Sequence, residues 1–266
     1  MRFLPVFALL LAGFQSLAQA ITERDFKKHF DVHGVRGSFL LYDLKADTFI
    51  AYDPARCREG FLPASTFKIP NTLIGLETGL LSDTNYVFKW DGKPRWLNEW
   101  EADLTLSQAM RFSCLPCYQQ LARQVGAVRY QQWLVKLNYG KMDVGVANVD
   151  SFWVAGRSRI TQFQQVEFLK RLYLGQLPVS QRSMDLTKAI ILLKKAPEYT
   201  LRGKTGMSNS DAVNRRYNGW FVGWLERGGN AYVFALNADY EGPGSSGFVP
   251  VRRAIAEAIL REMGLM

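Results

Sequence analysis

Ser65 and Lys68 stand three residues apart in Ser65-Thr66-Phe67-Lys68, the only Ser-x-x-Lys in the chain. On a helix, positions i and i+3 share a face, so a hydroxyl and an amine come within hydrogen-bond reach. A serine hydroxyl is a weak nucleophile until a neighbouring base takes its proton. At a helix N-terminus it also meets free backbone N–H groups and the positive end of the dipole. Both favour negative charge developing on an attacked carbonyl. Alone, the tetrapeptide reads as an N-cap serine and a solvated lysine. Motifs further along the chain change that reading.

Lys204-Thr205-Gly206 comes after β-rich residues 199–202 and before a polar loop, at a strand end. A glycine there lets another group approach the backbone; the plain alternative is a strand-ending turn with an exposed lysine. Ser113-Cys114-Leu115 falls on or beside a helix, and Phe152-Trp153 lies in an apolar segment where a core aromatic is the ordinary outcome. The only histidines, His29 and His33, sit near the start of the chain. A His-rich metal centre is thereby excluded, and a Ser-His-Asp triad is an unattractive alternative.

The elements that must position these residues can be read from periodicity. Residues 22–30 read as a short amphipathic helix. GSFLLYD (37–43) and TFIAYD (48–53) read as strands joined by a four-residue turn. A helix is expected over 65–79, with Gly79 ending it. Helical periodicity continues over 104–125, 127–137, 161–174 and 180–194. Strand character returns at 199–202, 219–226 and 231–237, the last two joined through Arg227-Gly228-Gly229-Asn230, and a helix closes the chain over 249–263. The expected fold is α+β: an antiparallel sheet built from both chain ends and flanked by the terminal helices. An all-helical subdomain, about 66–195, is inserted in it.

Hydrophobic residues at 48% and charged residues at 21% are those of an ordinary globular chain, against disorder, collagen or coiled coil. Residues 1–20 carry Arg2, an apolar run from Phe3 to Phe14 and Ala18-Gln19-Ala20, the pattern of a secretory signal peptide cleaved after Ala20. The run is too short for a comfortable membrane span. The expectation is one domain over 21–266, in the periplasm or secreted. The net charge is +9. Its basic residues are scattered pairs such as Lys194-Lys195 and Arg215-Arg216, without an aromatic-interleaved stripe, so a nucleic-acid partner is not expected. Of the three cysteines, Cys114 and Cys117 are spaced i, i+3. On a regular helix that spacing seldom bridges, so buried free thiols are the first reading and a strained disulfide after export is the alternative; Cys57 is unpaired on either.

Taken in order, these elements resemble the penicillin-recognising serine enzymes. Pro63-Ala64-Ser65-Thr66-Phe67-Lys68, Phe88-Lys89-Trp90-Asp91-Gly92, Lys204-Thr205-Gly206 and Gly219-Trp220-Phe221-Val222-Gly223-Trp224 are similar to class D, oxacillinase-type β-lactamases over nearly the whole mature chain. The resemblance implies the β-lactamase and penicillin-binding transpeptidase fold, a small-molecule β-lactam substrate, no metal, no stable membrane insertion after signal cleavage, and a monomer or homodimer. It implies that Ser65 is acylated and that Lys68 is carboxylated from CO2 or bicarbonate and serves as general base. Trp153 and Leu115 would surround the carboxylated lysine. Ser113 would relay a proton to the leaving nitrogen beside Lys204. Thr205, Gly206 and Arg252 would bind substrate, and the backbone N–H groups of Ser65 and Met207 would form the oxyanion hole. A penicillin-binding D,D-peptidase or a β-lactam sensor, which acylates without efficient turnover, is the alternative. Three features depart from the family pattern: Lys141 in Tyr139-Gly140-Lys141, Leu115 in the Ser-x-apolar element, and the Cys114/Cys117 pair.

Overall fold

The computed structural model describes residues 20–211, 216–242 and 245–266. Most of the expected signal peptide, residues 1–19, lies outside them, as do residues 212–215 of the polar loop after Lys204-Thr205-Gly206. In chain order the elements are β1 (Ile21–Glu23), α1 (Lys27–Asp31), β2 (Arg36–Asp43), β3 (Thr48–Tyr52), α2 (Lys68–Glu77), β4 (Val87–Phe88), β5 (Leu104–Thr105), α3 (Leu106–Arg111), α4 (Leu115–Val125), α5 (Ala127–Leu137), α6 (Gln162–Leu174), α7 (Gln181–Ile190), β6 (Leu192–Lys195), β7 (Thr200–Asp211), β8 (Arg216–Arg227), β9 (Asn230–Glu241) and α8 (Phe248–Glu262).

Seven strands form one sheet in the order β1-β3-β2-β9-β8-β7-β6. Strands from the two chain ends meet where β2 pairs antiparallel with β9, from Arg36 opposite Asp239 to Asp43 opposite Tyr232. Side chains alternate between the faces with the period of two that a pleated strand imposes. Leu40, Trp220, Val222, Trp224, Val233 and Ala235 point to the side covered by the helices between β3 and β6. Phe39, Leu41, Phe221, Leu225, Phe234 and Leu236 point to the side covered by α1 and α8. This is the expected α+β arrangement, except that the inserted stretch 66–195 is not all-helical: it carries the short β4–β5 pair and ends in the edge strand β6.

Several local expectations are corrected. The helix expected over 22–30 is a strand followed by a single turn, α1. Ile21, Thr22 and Glu23 pair parallel with Phe49, Ile50 and Ala51, whereas the other strand pairs among the described residues are antiparallel. Two β-branched residues beside an open edge gain more from ladder hydrogen bonds than from a weak amphipathic turn. The helix expected over 180–194 ends at Ile190, and Leu192–Lys195 becomes the edge strand against Thr200–Arg202. The stretch 104–125 is two helices. Thr105 begins the first with a capping box to Gln108. Pro116, which has no N–H to offer the preceding turn, sits in the first turn of the second. Between them Ser113 takes φ +55°.

Of the two readings for Cys114 and Cys117, the disulfide holds and the free thiols do not, for the same reason. Cys114 lies before α4 as its capping residue, so the pair does not share a regular helix. The Cα atoms are 5.5 Å apart and the two sulfurs are bonded. Cys57 is free and buried, as expected.

Candidate active site

Ser65 sits in a 3-10 turn, Ala64–Phe67, that runs directly into α2. Ala64 takes φ +49°, a left-handed conformation uncommon for a residue with a side chain. Its N–H is held by the Trp153 carbonyl at 2.8 Å. The turn thus lifts Ser65 out of the core while its neighbours stay buried.

Lys68 Nζ lies 3.0 Å from Ser65 Oγ, the contact that the i, i+3 spacing predicts. The lysine side chain is fully buried. Its Nζ lies over the Tyr118 ring of α4, 5.3 Å from the centroid. Burial holds its pKa well below that of an ordinary lysine, and the Lys204 charge lowers it further. Trp153 is also fully buried, with its ring stacked on Phe67 at 5.5 Å between centroids. Its indole Nε1 has no hydrogen-bond partner among the described residues. An orphaned buried donor normally loses a substantial part of its hydrogen-bond energy.

Lys204, on β7, donates from Nζ to Ser113 Oγ at 3.1 Å and to its neighbour's carbonyl, Thr205 O, at 3.0 Å. Burial, and secondarily the charge of Arg252, lowers its pKa to about 7. The left-handed turn at Ser113 is what aims its hydroxyl at β7. Gly206 follows on the same strand. A Cβ there would lie 3.2 Å from Ser65 N and 3.1 Å from Pro63 O, so glycine lets β7 run this close to the nucleophile turn without crowding it.

Strand alternation sends Met207 to the α8 side, where its side chain packs in that core. Only its backbone is available to the Ser65 side. Thr205 is half-buried and lines, with Lys204, Arg111, Phe221 and Arg253, a cavity of about 760 Å³ along β7. Arg252 is buried and donates to Gly206 O, and to Val249 O at 2.9 Å. Leu115 opens α4 two residues after Ser113, half-buried against the large core and one turn before Tyr118. Lys141 pairs through its backbone with Arg159, and its side chain is exposed, so this departure from the family pattern lies on an outward face.

The structure therefore brings Ser65, Lys68, Trp153, Ser113, Lys204 and Gly206 together and sets Arg252 directly behind them. It also supplies residues the sequence reasoning passed over. Gln165 Nε2 donates to Thr66 Oγ1 at 2.8 Å, and Thr66 donates to Pro63 O at 2.6 Å, bracing the nucleophile turn from α6. Gln162 and Gln165 are buried on the core-facing stripe of a helix. Two polar residues at apolar positions were the available signal.

A buried serine–lysine pair beside a second serine–lysine pair, on this sheet-and-helix scaffold, defines an active-site serine enzyme of the penicillin-recognising kind. The family model for the penicillin binding protein transpeptidase domain matches residues 20–261. The β-lactamase OXA-10 of Pseudomonas aeruginosa is 40% identical over 252 residues, 94% of this chain and 93% of that protein. The crystal structure of FUS-1 (OXA-85), a class D β-lactamase from Fusobacterium nucleatum subsp. polymorphum, superposes with a TM-score of 0.85 at 37% identity, covering 91% of this chain and 98% of that one. The C-terminal domain of the Bacillus licheniformis BlaR penicillin-receptor gives a TM-score of 0.86 at 27% identity, covering 93% and 98%. The chain belongs to the class D serine β-lactamases.

Proposed function

We propose that this chain hydrolyses the β-lactam amide of penicillin-type antibiotics through an acyl-enzyme on Ser65, with Lys68 carboxylated by CO2. The observation that carries the reading is the fully buried, pKa-depressed Lys68 within 3.0 Å of Ser65 Oγ. Only a neutral amine adds CO2, forming an N–C bond and releasing a proton. Burial shifts the Lys68 amine toward its neutral form. The orphaned Trp153 indole N–H fits the group, because a buried anion needs a donor and this donor has no partner among the described residues. Carboxylation would give Lys68 an anionic general base able to serve both acylation and deacylation.

The chain's own residues account for the rest. Ser65 Oγ gives up its proton on the Lys68 side and attacks the β-lactam carbonyl. The N–H groups of Ser65 and Met207 receive the developing oxyanion, an interaction whose loss typically costs ~10²–10³ in rate. Ser113, hydrogen-bonded to Lys204, passes a proton to the departing nitrogen. Thr205 and Gly206 hold the substrate along β7. Arg252 uses one N–H of each guanidinium nitrogen on backbone carbonyls, and each terminal nitrogen keeps a second for the substrate carboxylate. Leu115 bounds the space near Lys68. Residues 21–266 act in this reading as one catalytic domain, delivered to the periplasm or outside the cell. The Cys114–Cys117 disulfide supports an oxidising compartment, and among the described residues no helix is long and apolar enough to cross a membrane.

The likeness to the penicillin-receptor domain favours a second reading, in which Ser65 acylates and stays acylated. Steady-state hydrolysis of a penicillin and of a chromogenic cephalosporin, with and without bicarbonate, separates the two. Turnover that rises with bicarbonate is the expected result. Stoichiometric acylation without turnover, indifferent to bicarbonate, would overturn the hydrolase reading in favour of a receptor.

A further inference from the structure

The Cys114–Cys117 disulfide is the feature of the site that the proposed reaction leaves without a role. Cys114 sits between Ser113, whose hydroxyl accepts from Lys204, and Leu115, the first residue of α4. The turn containing Ser113 is secured locally by two backbone hydrogen bonds, Ser113 N–H to Met110 O at 3.2 Å and Cys114 N–H to Ala109 O at 2.8 Å. Against them works the left-handed conformation of Ser113, which a side-chain-bearing residue leaves when it is free to. The disulfide closes the other end of the turn. It ties Cys114 to the first turn of α4, where Cys114 Sγ also faces the Cys117 N–H at 3.2 Å. Both cysteines line a cavity of about 390 Å³, together with Phe88, Trp90 and Trp100. Trp100 Nε1 donates to Phe112 O at 3.0 Å, so the cavity wall and the Ser113 segment are one connected unit.

We propose that the Cys114–Cys117 disulfide is a redox-addressable positioning element for Ser113, so that a dithiol reductant reaching it through this cavity slows acylation of Ser65 without unfolding the enzyme. One dithiol supplies two electrons and two protons. The Sγ–Sγ bond breaks, Cys114 and Cys117 each gain an S–H, and the reductant closes to its own disulfide. Cys57 takes no part. It is buried, its thiol is pushed up to about 12 by burial, and it faces the Phe39 and Tyr52 carbonyls rather than the bridge. Without the bond from Cys114 to Cys117, Ser113 relaxes from its left-handed turn and its hydroxyl drifts from Lys204. The inference rests on the reading of Ser113 as the proton relay.

The test compares the acylation and deacylation rate constants of the oxidised enzyme, of the enzyme reduced with dithiothreitol, and of a Cys114→Ala/Cys117→Ala variant. A fluorescent penicillin reports acylation, and rates are normalised to titrated active sites. Thiol counting verifies the redox state, and circular dichroism verifies the fold. The expected result is an acylation rate constant about tenfold lower on reduction, the scale of effect of a small misplacement of a proton-transfer group. Deacylation changes little, reoxidation restores acylation, and the double variant is slow and indifferent to dithiothreitol. A merely structural bridge would reduce the number of titratable sites and leave the rate constant per site unchanged. Reduced, folded wild type acylating at the oxidised rate overturns the proposal, as does a double variant that dithiothreitol still slows. Ser113→Ala separates the relay reading from the redox proposal. If it acylates like wild type, the relay reading itself falls. If it is slow while reduction changes nothing, the relay stands and the redox proposal alone falls. Should the double variant fail to fold, the reduced wild type still decides between the outcomes.

Discussion

Trp153 holds Ala64 by its backbone and leaves its own indole nitrogen idle: its carbonyl accepts the Ala64 N–H at 2.8 Å, while Nε1 is buried without a partner among the described residues. One residue thus fixes the left-handed turn that presents Ser65 and keeps a buried, unpartnered indole N–H on a ring stacked against Phe67, the chain neighbour of Lys68. The two roles are separable by mutation, because only the second needs the side chain.

Trp153→Phe keeps the backbone hydrogen bond and the stacking on Phe67 and removes only the N–H. In the proposed reading the interaction lost is a hydrogen bond to the carboxylated Lys68, a charged acceptor, about 1.5–3 kcal/mol. The bicarbonate concentration giving half-maximal turnover should therefore rise ~10–100-fold, with the fold intact. The carbamate carbon signal from ¹³C-bicarbonate should weaken in parallel. Unchanged bicarbonate dependence in this variant would remove Trp153 from the role proposed for it.

Gly206→Ala places a methyl group 3.1 Å from Pro63 O and 3.2 Å from Ser65 N, tighter than ordinary contact on two backbone atoms that cannot rotate away. β7 and the nucleophile turn must separate by a few tenths of an ångström. The acylation rate constant should fall about 10–100-fold, the cost of a misplaced reacting group. Thermal stability should fall modestly.

Lys204 makes stability depend on pH in a direction that can be worked out. Its folded pKa is lowered to about 7, whereas the unfolded chain has the ordinary lysine value of 10.5. Between those values the unfolded chain binds a proton that the folded protein does not, so stability rises with pH across that window. Urea midpoints in CO2-free buffer should rise from pH 7 to pH 10 more steeply for wild type than for Lys204→Met. Bicarbonate should flatten the wild-type slope, because a negative charge on Lys68 draws the Lys204 pKa back up.

Gln165→Leu would remove the 2.8 Å donor to Thr66 Oγ1 and the acceptor of the buried Tyr139 hydroxyl, leaving Tyr139 only a long 3.4 Å contact with Thr66. A buried polar group stripped of its partner costs about 1–3 kcal/mol. Denaturant titration should show that loss, and acylation should slow as the Thr66 brace on the nucleophile turn loosens.

The serine–lysine spacing, the Lys204 strand and the sheet drawn from both chain ends were legible because each rests on local periodicity or on a short motif with its own geometry. The resemblance to class D enzymes added the order of those motifs. What escaped depended on distant partners. Ile21–Glu23 is a strand only because β3 offers an edge. Leu192–Lys195 leaves its helix only because β7 does the same. The break at Ser113 needed Pro116 to be read as a helix start rather than as an interior residue. The disulfide stands second to free thiols in the sequence because, without that break, a regular helix under Cys114 disfavours a bridge. The polar network of Gln165, Thr66 and Tyr139 connects three separate stretches of chain, and no spacing within one stretch reveals it.

The strand order gives the enzyme two unlike edges. β1, which begins at Ile21, closes one side of the sheet, and β7 with Lys204 and Gly206 lies five strands away. At the usual inter-strand spacing that is about 24 Å. A polymer, bead or display protein joined ahead of Ile21 would hang from the margin remote from Ser65. Attachment made at β1 therefore leaves the face that carries Ser65 and Lys204 turned outward.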